Sequence, residues 1–259
     1  MTTLTSTAAT NTTATNATTA KQTNKDNSAF AVLGDWLAQG ARVYRNAPIS
    51  LTLTSLMLMI VGGLVQGLPA PYGMFASKWL SAGLITLLWP LTWHVLQNGK
   101  FSLRSLKQYS GYRYLPALGV SMMLPFASQV VFGALAFGAP GVDLVLYQDM
   151  TNFSRIHVAS VLMASAPLGL LMSFIPAYVL IKQASLKTAT VEGIKLAVRA
   201  IKPLSLLMLL NMALMFSVPY TFVLSAILVG PLLFCVNVVA FNYLISEDTQ
   251  TKNNNNSAS

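Results

Sequence analysis

Polar positions thin out into a series of apolar runs along the middle of the chain. The runs cover residues 48–68, 74–97, 115–138, 157–181, 203–218 and 222–245. A helix needs about 20 apolar residues to cross a hydrocarbon core of about 30 Å, so the pattern predicts six transmembrane helices. The last two runs are nearly continuous. Pro203 to Ile245 is far too long for one crossing, and Ser217-Val218-Pro219-Tyr220-Thr221 is the expected place for a fold-back; a long helix kinked at Pro219 would lower the count. Pro69-Ala70-Pro71-Tyr72-Gly73 is short and dense in helix breakers, so the first two runs should form a hairpin.

Between these runs lie segments of a different period. On a helical wheel Glu192, Lys195, Arg199 and Lys202 share one face, with Val191, Ile194, Ala197, Val198 and Ile201 opposite, the pattern of a helix lying flat at a bilayer surface. Thr190 is its expected N-cap, and its cations gather at the C-terminal end, where the helix dipole favours them. Phe30 to Arg45 repeats the pattern, with Leu33, Trp36, Leu37, Gly40, Val43 and Tyr44 on one side and Asp35, Gln39, Arg42 and Arg45 on the other. Phe101 to Tyr114, carrying Lys100, Arg104, Lys107 and Arg113 among Leu103, Leu106, Tyr109 and Tyr112, is a third and less regular case. Each ends at a proline (Pro48, Pro116, Pro203) and leads into apolar sequence. The expected fold is therefore all-α and polytopic: six transmembrane helices in three hairpins, each preceded by a basic amphipathic interfacial helix.

Composition agrees. With 54% hydrophobic and 9% charged residues the chain is too apolar for an ordinary soluble domain. The net charge of +9 then has a membrane explanation. Of the 16 Lys and Arg, all but Lys78 and Arg155 fall on one side of the six-span map, 14 against 2. Cations collect in cytoplasmic loops, so both termini are expected in the cytoplasm of a bacterial inner membrane. No soluble basic module suggests nucleic-acid binding. Residues 1–29, almost entirely Thr, Ala and Asn, read as a disordered tail, as do residues 247–259, leaving a membrane domain over 30–246. No cleaved secretory signal is expected.

Motifs for chemistry are sparse. The chain has no phosphate-binding Gly-rich loop, no His-Glu-x-x-His and no Gly-x-Ser-x-Gly, so no enzymatic activity, cofactor or metal is expected. The sole cysteine, Cys235, reads as a small buried apolar residue. His94 and His157 fall at opposite membrane depths, where each suits local hydrogen bonding. Lys78 is placed to lift its ammonium to the head groups beside Trp79. At mid-depth stand the neutral amides Gln129, Asn211 and Asn237, groups that usually pair between helices. Prolines 90, 125, 167, 176 and 231 read as ordinary kinks, and the 12 methionines as flexible packing rather than copper ligands.

The segment from Trp36 to Pro48, ending Tyr-Arg-Asn-x-Pro, the hairpin with a Pro/Gly-rich turn, and the late helix beginning Val191-Glu192-Gly193-Ile194-Lys195 resemble a family of bacterial six-span inner-membrane proteins without an assigned activity. The resemblance covers roughly residues 30–246. It implies the architecture and supplies no catalytic residues. Two functions are expected of such a chain. One is a non-enzymatic organising, assembly or regulatory membrane component. Its cations Arg42, Arg45, Arg104, Lys107, Arg113, Lys195, Arg199 and Lys202 would grip anionic head groups of the bilayer, and it would associate with a membrane-protein partner or with itself. The alternative is a permease for a neutral or anionic small molecule, built around Gln129, Asn211 and Asn237.

Overall fold

Proline decides where most helices of this chain begin. It lacks an amide hydrogen and clashes with the carbonyl four residues earlier, so it is tolerated in a first turn and resets a helix elsewhere. In the computed structural model, which describes residues 28–109 and 111–257, α1 (Ala29–Asn46) is followed by α2 (Pro48–Gln66), with proline in its first turn. The next helix restarts midway, as α3 (Tyr72–Ile85) and α4 (Leu88–Asn98), with Pro90 in the first turn of α4. Proline again sits in the first turn of α5 (Leu115–Ser121), α6 (Leu124–Phe137) and α7 (Ala139–Leu146). After α8 (Arg155–Met163) it opens α9 (Ala166–Met172) and α10 (Ile175–Leu180) in the same way. The chain ends in α11 (Leu186–Arg199), α12 (Ile201–Ser217) and α13 (Leu224–Ser257).

Five of the resulting stretches are long and apolar enough to cross a membrane: Pro48–Gln66, Tyr72–Asn98, Gly111–Phe137, Arg155–Leu180 and Leu224–Asp248. The α11–α12 pair makes a sixth if counted as one span, and it is bent by 94°. The described residues are thus all-helical with five to six such helices. The bend falls at Ala200, inside the segment whose pattern changes from amphipathic to wholly apolar.

Close packing depends on small residues. Ser77 Oγ donates to the Gly62 carbonyl at 2.7 Å, joining α2 to α3, and a Cβ on Gly83 would meet the Leu115 carbonyl of α5 at 3.3 Å. Trp79 Nε1 donates to the Pro116 carbonyl at 3.1 Å on the same side. The principal core gathers Trp36, Val43, Trp89, Val95, Phe174, Leu204, Leu207, Val236 and Phe241 from α1, α4, α9–α10 and α12–α13. At its centre Phe241 lies 5.3–6.0 Å from the rings of Trp89, Trp93, Phe174 and Tyr178, most at steep edge-on angles. A separate cluster of Met74, Phe126, Leu144, Val145 and Val161 joins α3, α6, α7 and α8.

Several expectations change. The stripe Leu33, Trp36, Gly40 and Val43 is buried as the pattern implies, but it is buried against protein: Trp36 has no exposed surface and packs edge-on to Tyr243 of α13 at 6.2 Å. In α11 the inward face is Ala189, Gly193, Leu196 and Ala197, while Val191, Val198 and Ile201 are exposed. That helix begins one turn early. Its cap is Ser185, whose side chain accepts from Thr188 N, and Thr190 lies inside it, donating to the Leu186 carbonyl at 2.9 Å. The third basic segment is no α-helix but two 3-10 turns, Leu103–Gln108 and Gly111–Tyr114. The connection expected between spans three and four contains α7, which folds back on α6 because Gly141, Leu144 and Val145 present one apolar face. The helix ending the chain runs through Ser257, beyond Ile245 and across residues 247–257, where the sequence suggests a tail. Residues 1–27 and 258–259 of the two expected tails lie outside the described residues.

Candidate functional site

One end of the helix assembly holds a half-open cavity of about 450 Å³. Its walls come from the close of α2, the first two turns of α3 and α8, the first part of α6, the end of α7 with the connection after it, and the turn between α12 and α13. Helical spacing explains which side chains point inward. Met74 and Lys78 are four apart on α3, Phe126 and Gln129 three apart on α6, and Arg155, Val158 and Leu162 fall at positions i, i+3 and i+7 of α8. The remaining wall is mostly apolar, with Leu144, Val145, Val161, Val218 and Pro219.

Two cations therefore face one space. Lys78 Nζ lies 5.9 Å from the centroid of Phe126, and the Arg155 guanidinium carbon 5.5 Å from that of Phe222. No Asp or Glu lines the cavity. The ion pairs among the described residues, Lys195–Glu192 and Arg199–Asp248, involve neither cation. Asp149, beside the cavity residue Gln148, turns instead to its own loop. It accepts from Thr151 N at 3.0 Å and from Thr151 Oγ1 at 2.6 Å, bonds that hold its carboxyl below the usual carboxylate range. Gln66, Gln129 and Gln148 supply the neutral polar groups.

The backbone here is unusual. Four described non-glycine residues have positive φ, and three of them line the cavity: Gln148 at 58°, Phe222 at 49° and Val223 at 70°. For a β-branched residue such as Val223 that conformation is strongly disfavoured, and backbone strain of this kind concentrates at binding and catalytic sites.

Gln129 also braces the wall. Pro167 removes the donor that the Met163 carbonyl would otherwise have, so the helix opens between α8 and α9. The neighbouring carbonyls are taken up by α6: Gln129 Nε2 donates to Leu162 O at 3.3 Å and Ser128 Oγ to Ala164 O at 2.9 Å. The other two mid-depth amides do not join this site. Asn211 Nδ2 donates to Leu207 O at 2.9 Å and Asn237 Nδ2 to Leu233 O at 3.2 Å, each within its own helix. Both histidines make local bonds. His94 Nδ1 meets Asn98 Nδ2 at 3.1 Å, and His157 forms a capping box with Ser154 at the start of α8.

All eight cations expected at the lipid interface are exposed: Arg42, Arg45, Arg104, Lys107, Arg113, Lys195, Arg199 and Lys202. Two are neutralised locally. Lys195 pairs with Glu192 at 3.2 Å, and Arg199 with Asp248 of α13 at 2.7 Å. Arg113 lies over the Tyr114 ring at 4.8 Å. Sequence reasoning passed over Lys78 and Arg155 as a pair. The signal was in the charge count, which leaves only these two cations on the far side of the span map.

Among the described residues no three His, Cys, Asp or Glu side chains converge as metal ligands. The class this fold defines is that of an all-helical protein with several helices apolar enough to cross a membrane. No family model, curated protein or solved structure matches the chain.

Proposed function

We propose that this chain is a multi-pass component of a bacterial inner membrane, with both termini cytoplasmic, that organises or regulates its surroundings without catalysing a reaction. The observation that supports this reading is the exposure of all eight interfacial cations, set at the end of α1, on the 3-10 turns and around the α11–α12 bend. Each well-placed cation contributes about 1 kcal/mol of attraction to an anionic leaflet. Lys195 and Arg199 contribute less than the others, since their charge is shared with Glu192 and Asp248. Replacing Lys195, Arg199 and Lys202 together by Gln should weaken retention of phosphatidylglycerol and loosen the orientation of reporters fused after Ser259. Unchanged topology and unchanged lipid retention would remove the support for this role.

A second reading, a permease for a neutral or anionic solute, is favoured by the cavity and by the breaks in its helical walls at Thr86–Leu87, Met122–Met123 and Ala164–Ser165. The cavity narrows the residues to test from three amides to Gln129. Uptake that survives Gln129→Leu in a folded protein would argue against a path through this site.

A further inference from the structure

Phe126 lines two spaces. On one side is the cavity holding Lys78 and Arg155; on the other is a groove of about 340 Å³. The side chains that line the groove are all apolar, Phe75, Val120, Leu124, Ala127, Val131 and Leu146 among them. Val120, Leu124 and Val131 are exposed on α5 and α6, on stretches apolar enough to lie in a bilayer. The molecule therefore presents a cationic chamber and an outward-facing apolar groove with one ring as their common wall. Phe126 itself is 8% exposed and is held edge-on by Phe75 at 6.0 Å.

We propose that these two spaces form one binding site for an anionic amphiphile, its acidic head group between Lys78 and Arg155 and its acyl chain in the groove beyond Phe126. The chemistry of the walls selects this ligand. Two cations from separate helices face the chamber without an acidic partner, so an anion entering it meets uncompensated positive charge. Gln66, Gln129 and Gln148 add amide groups able to hydrogen-bond head-group oxygens. A small hydrophilic anion would leave the groove empty, and a neutral lipid would leave both cations without a counter-charge. The combined volume is of the size that encloses a drug-sized ligand. The strained backbone at Gln148, Phe222 and Val223 belongs to the chamber alone and fixes its shape. The inference stands on the two spaces and holds whether or not anything is transported. Shared head-group chemistry admits two sources, a free fatty acid and an anionic phospholipid.

The full chain, purified in a non-ionic detergent, tests this by native mass spectrometry with palmitate, phosphatidylglycerol, phosphatidylcholine and inorganic phosphate added separately. Palmitate or phosphatidylglycerol should be retained in preference to phosphatidylcholine and to phosphate. Whichever of the two anionic amphiphiles is retained identifies the source, and either outcome upholds the site. Lys78→Gln with Arg155→Gln should weaken that retention about tenfold or more, as expected for loss of charge-assisted contacts, while Lys187→Gln, at an exposed cation outside both the chamber and the eight interfacial positions, leaves it unchanged. Ala127→Trp fills the groove from an exposed position without touching the chamber. It should weaken retention of palmitate more than that of octanoate, which keeps a test available if the double variant does not fold. Equal retention of phosphatidylcholine, retention of phosphate alone, no retention of any amphiphile, or indifference to both variants would overturn the proposal.

Discussion

Arg199 Nη1 and Asp248 Oδ1 meet at 2.7 Å, joining the last turn of α11 to the far part of α13, 49 residues later in the chain. The contact sits at the 94° bend where the chain passes from a charged helix to an apolar one. With side chains 50% and 38% exposed, the pair is screened by solvent, so its worth is that of a surface ion pair. A double-mutant cycle of Arg199→Gln and Asp248→Asn should give a coupling of about 0.2–1 kcal/mol, shrinking as salt is raised. A salt-insensitive coupling above about 2 kcal/mol would mean that the bend depends on this bond rather than on the packing of Gly193 and Ala197.

Gly40 fixes how closely α1 approaches α13. A Cβ at this position would stand 2.5 Å from Val236 Cγ2 and 2.9 Å from the Val236 Cα, closer than atoms can pack. Gly40→Ala should therefore destabilise the protein by about 1–3 kcal/mol through forced separation of the two helices. Gly34 is the control on the same helix, with nothing within 4 Å of its Cβ position. There alanine should stabilise by about 0.5–1 kcal/mol, since glycine is a poor helix former. Denaturant unfolding in detergent distinguishes the two, and equal effects would refute this account of α1.

The fold-back of α7 rests on a pair of glycines. A Cβ on Gly133 would lie 2.7 Å from the Gly141 carbonyl, and one on Gly141 would run into the backbone at Gly133. Gly141→Ala should push α7 off α6 and move Leu144 and Val145, which line the cavity. Its signature is a local one: faster amide exchange across residues 139–146 with α1 and α13 unaffected. Uniformly faster exchange would mean that α7 is no separate unit.

What the sequence made legible follows from how each signal arises. Apolar runs and prolines act locally, so the helical stretches, the turn before Gly73 and the break in the helix near Pro219 were readable within a few residues. Face assignment was readable for α1, where Leu33, Trp36, Gly40 and Val43 are all buried. The partner of that face was not, because an amphipathic stripe packs equally well on lipid or on another helix, and only tertiary structure shows Trp36 against Tyr243. In α11 the same ambiguity hid the inward face, since Ala189 and Gly193 carry little hydropathy and pack by being small. The cavity was beyond reach for a further reason. Lys78, Gln129 and Arg155 are separated by long stretches of chain, and nothing local brings their helices together.

The three mid-depth amides look alike in sequence and should behave differently on substitution. Asn237 bonds only within its own helix through Nδ2, and its buried Oδ1 has no partner among the described residues. An unsatisfied buried acceptor is a cost, so Asn237→Leu should be neutral or stabilising, provided the added methyls fit. Asn211, partly exposed and also bonded within its own turn, should tolerate leucine with a change under about 0.5 kcal/mol. Gln129 spans two helices, and Gln129→Leu removes one donor from Leu162 O at the break between α8 and α9. Interhelical bonds of this kind average about 0.6 kcal/mol with a maximum near 1.7, so a loss in that range is expected. Steric trapping or denaturant titration in bicelles resolves differences of this size. If Asn237→Leu proves the most damaging of the three, Asn237 has a partner that its own helix does not supply, and the assignment of Gln129 as the bridging amide fails.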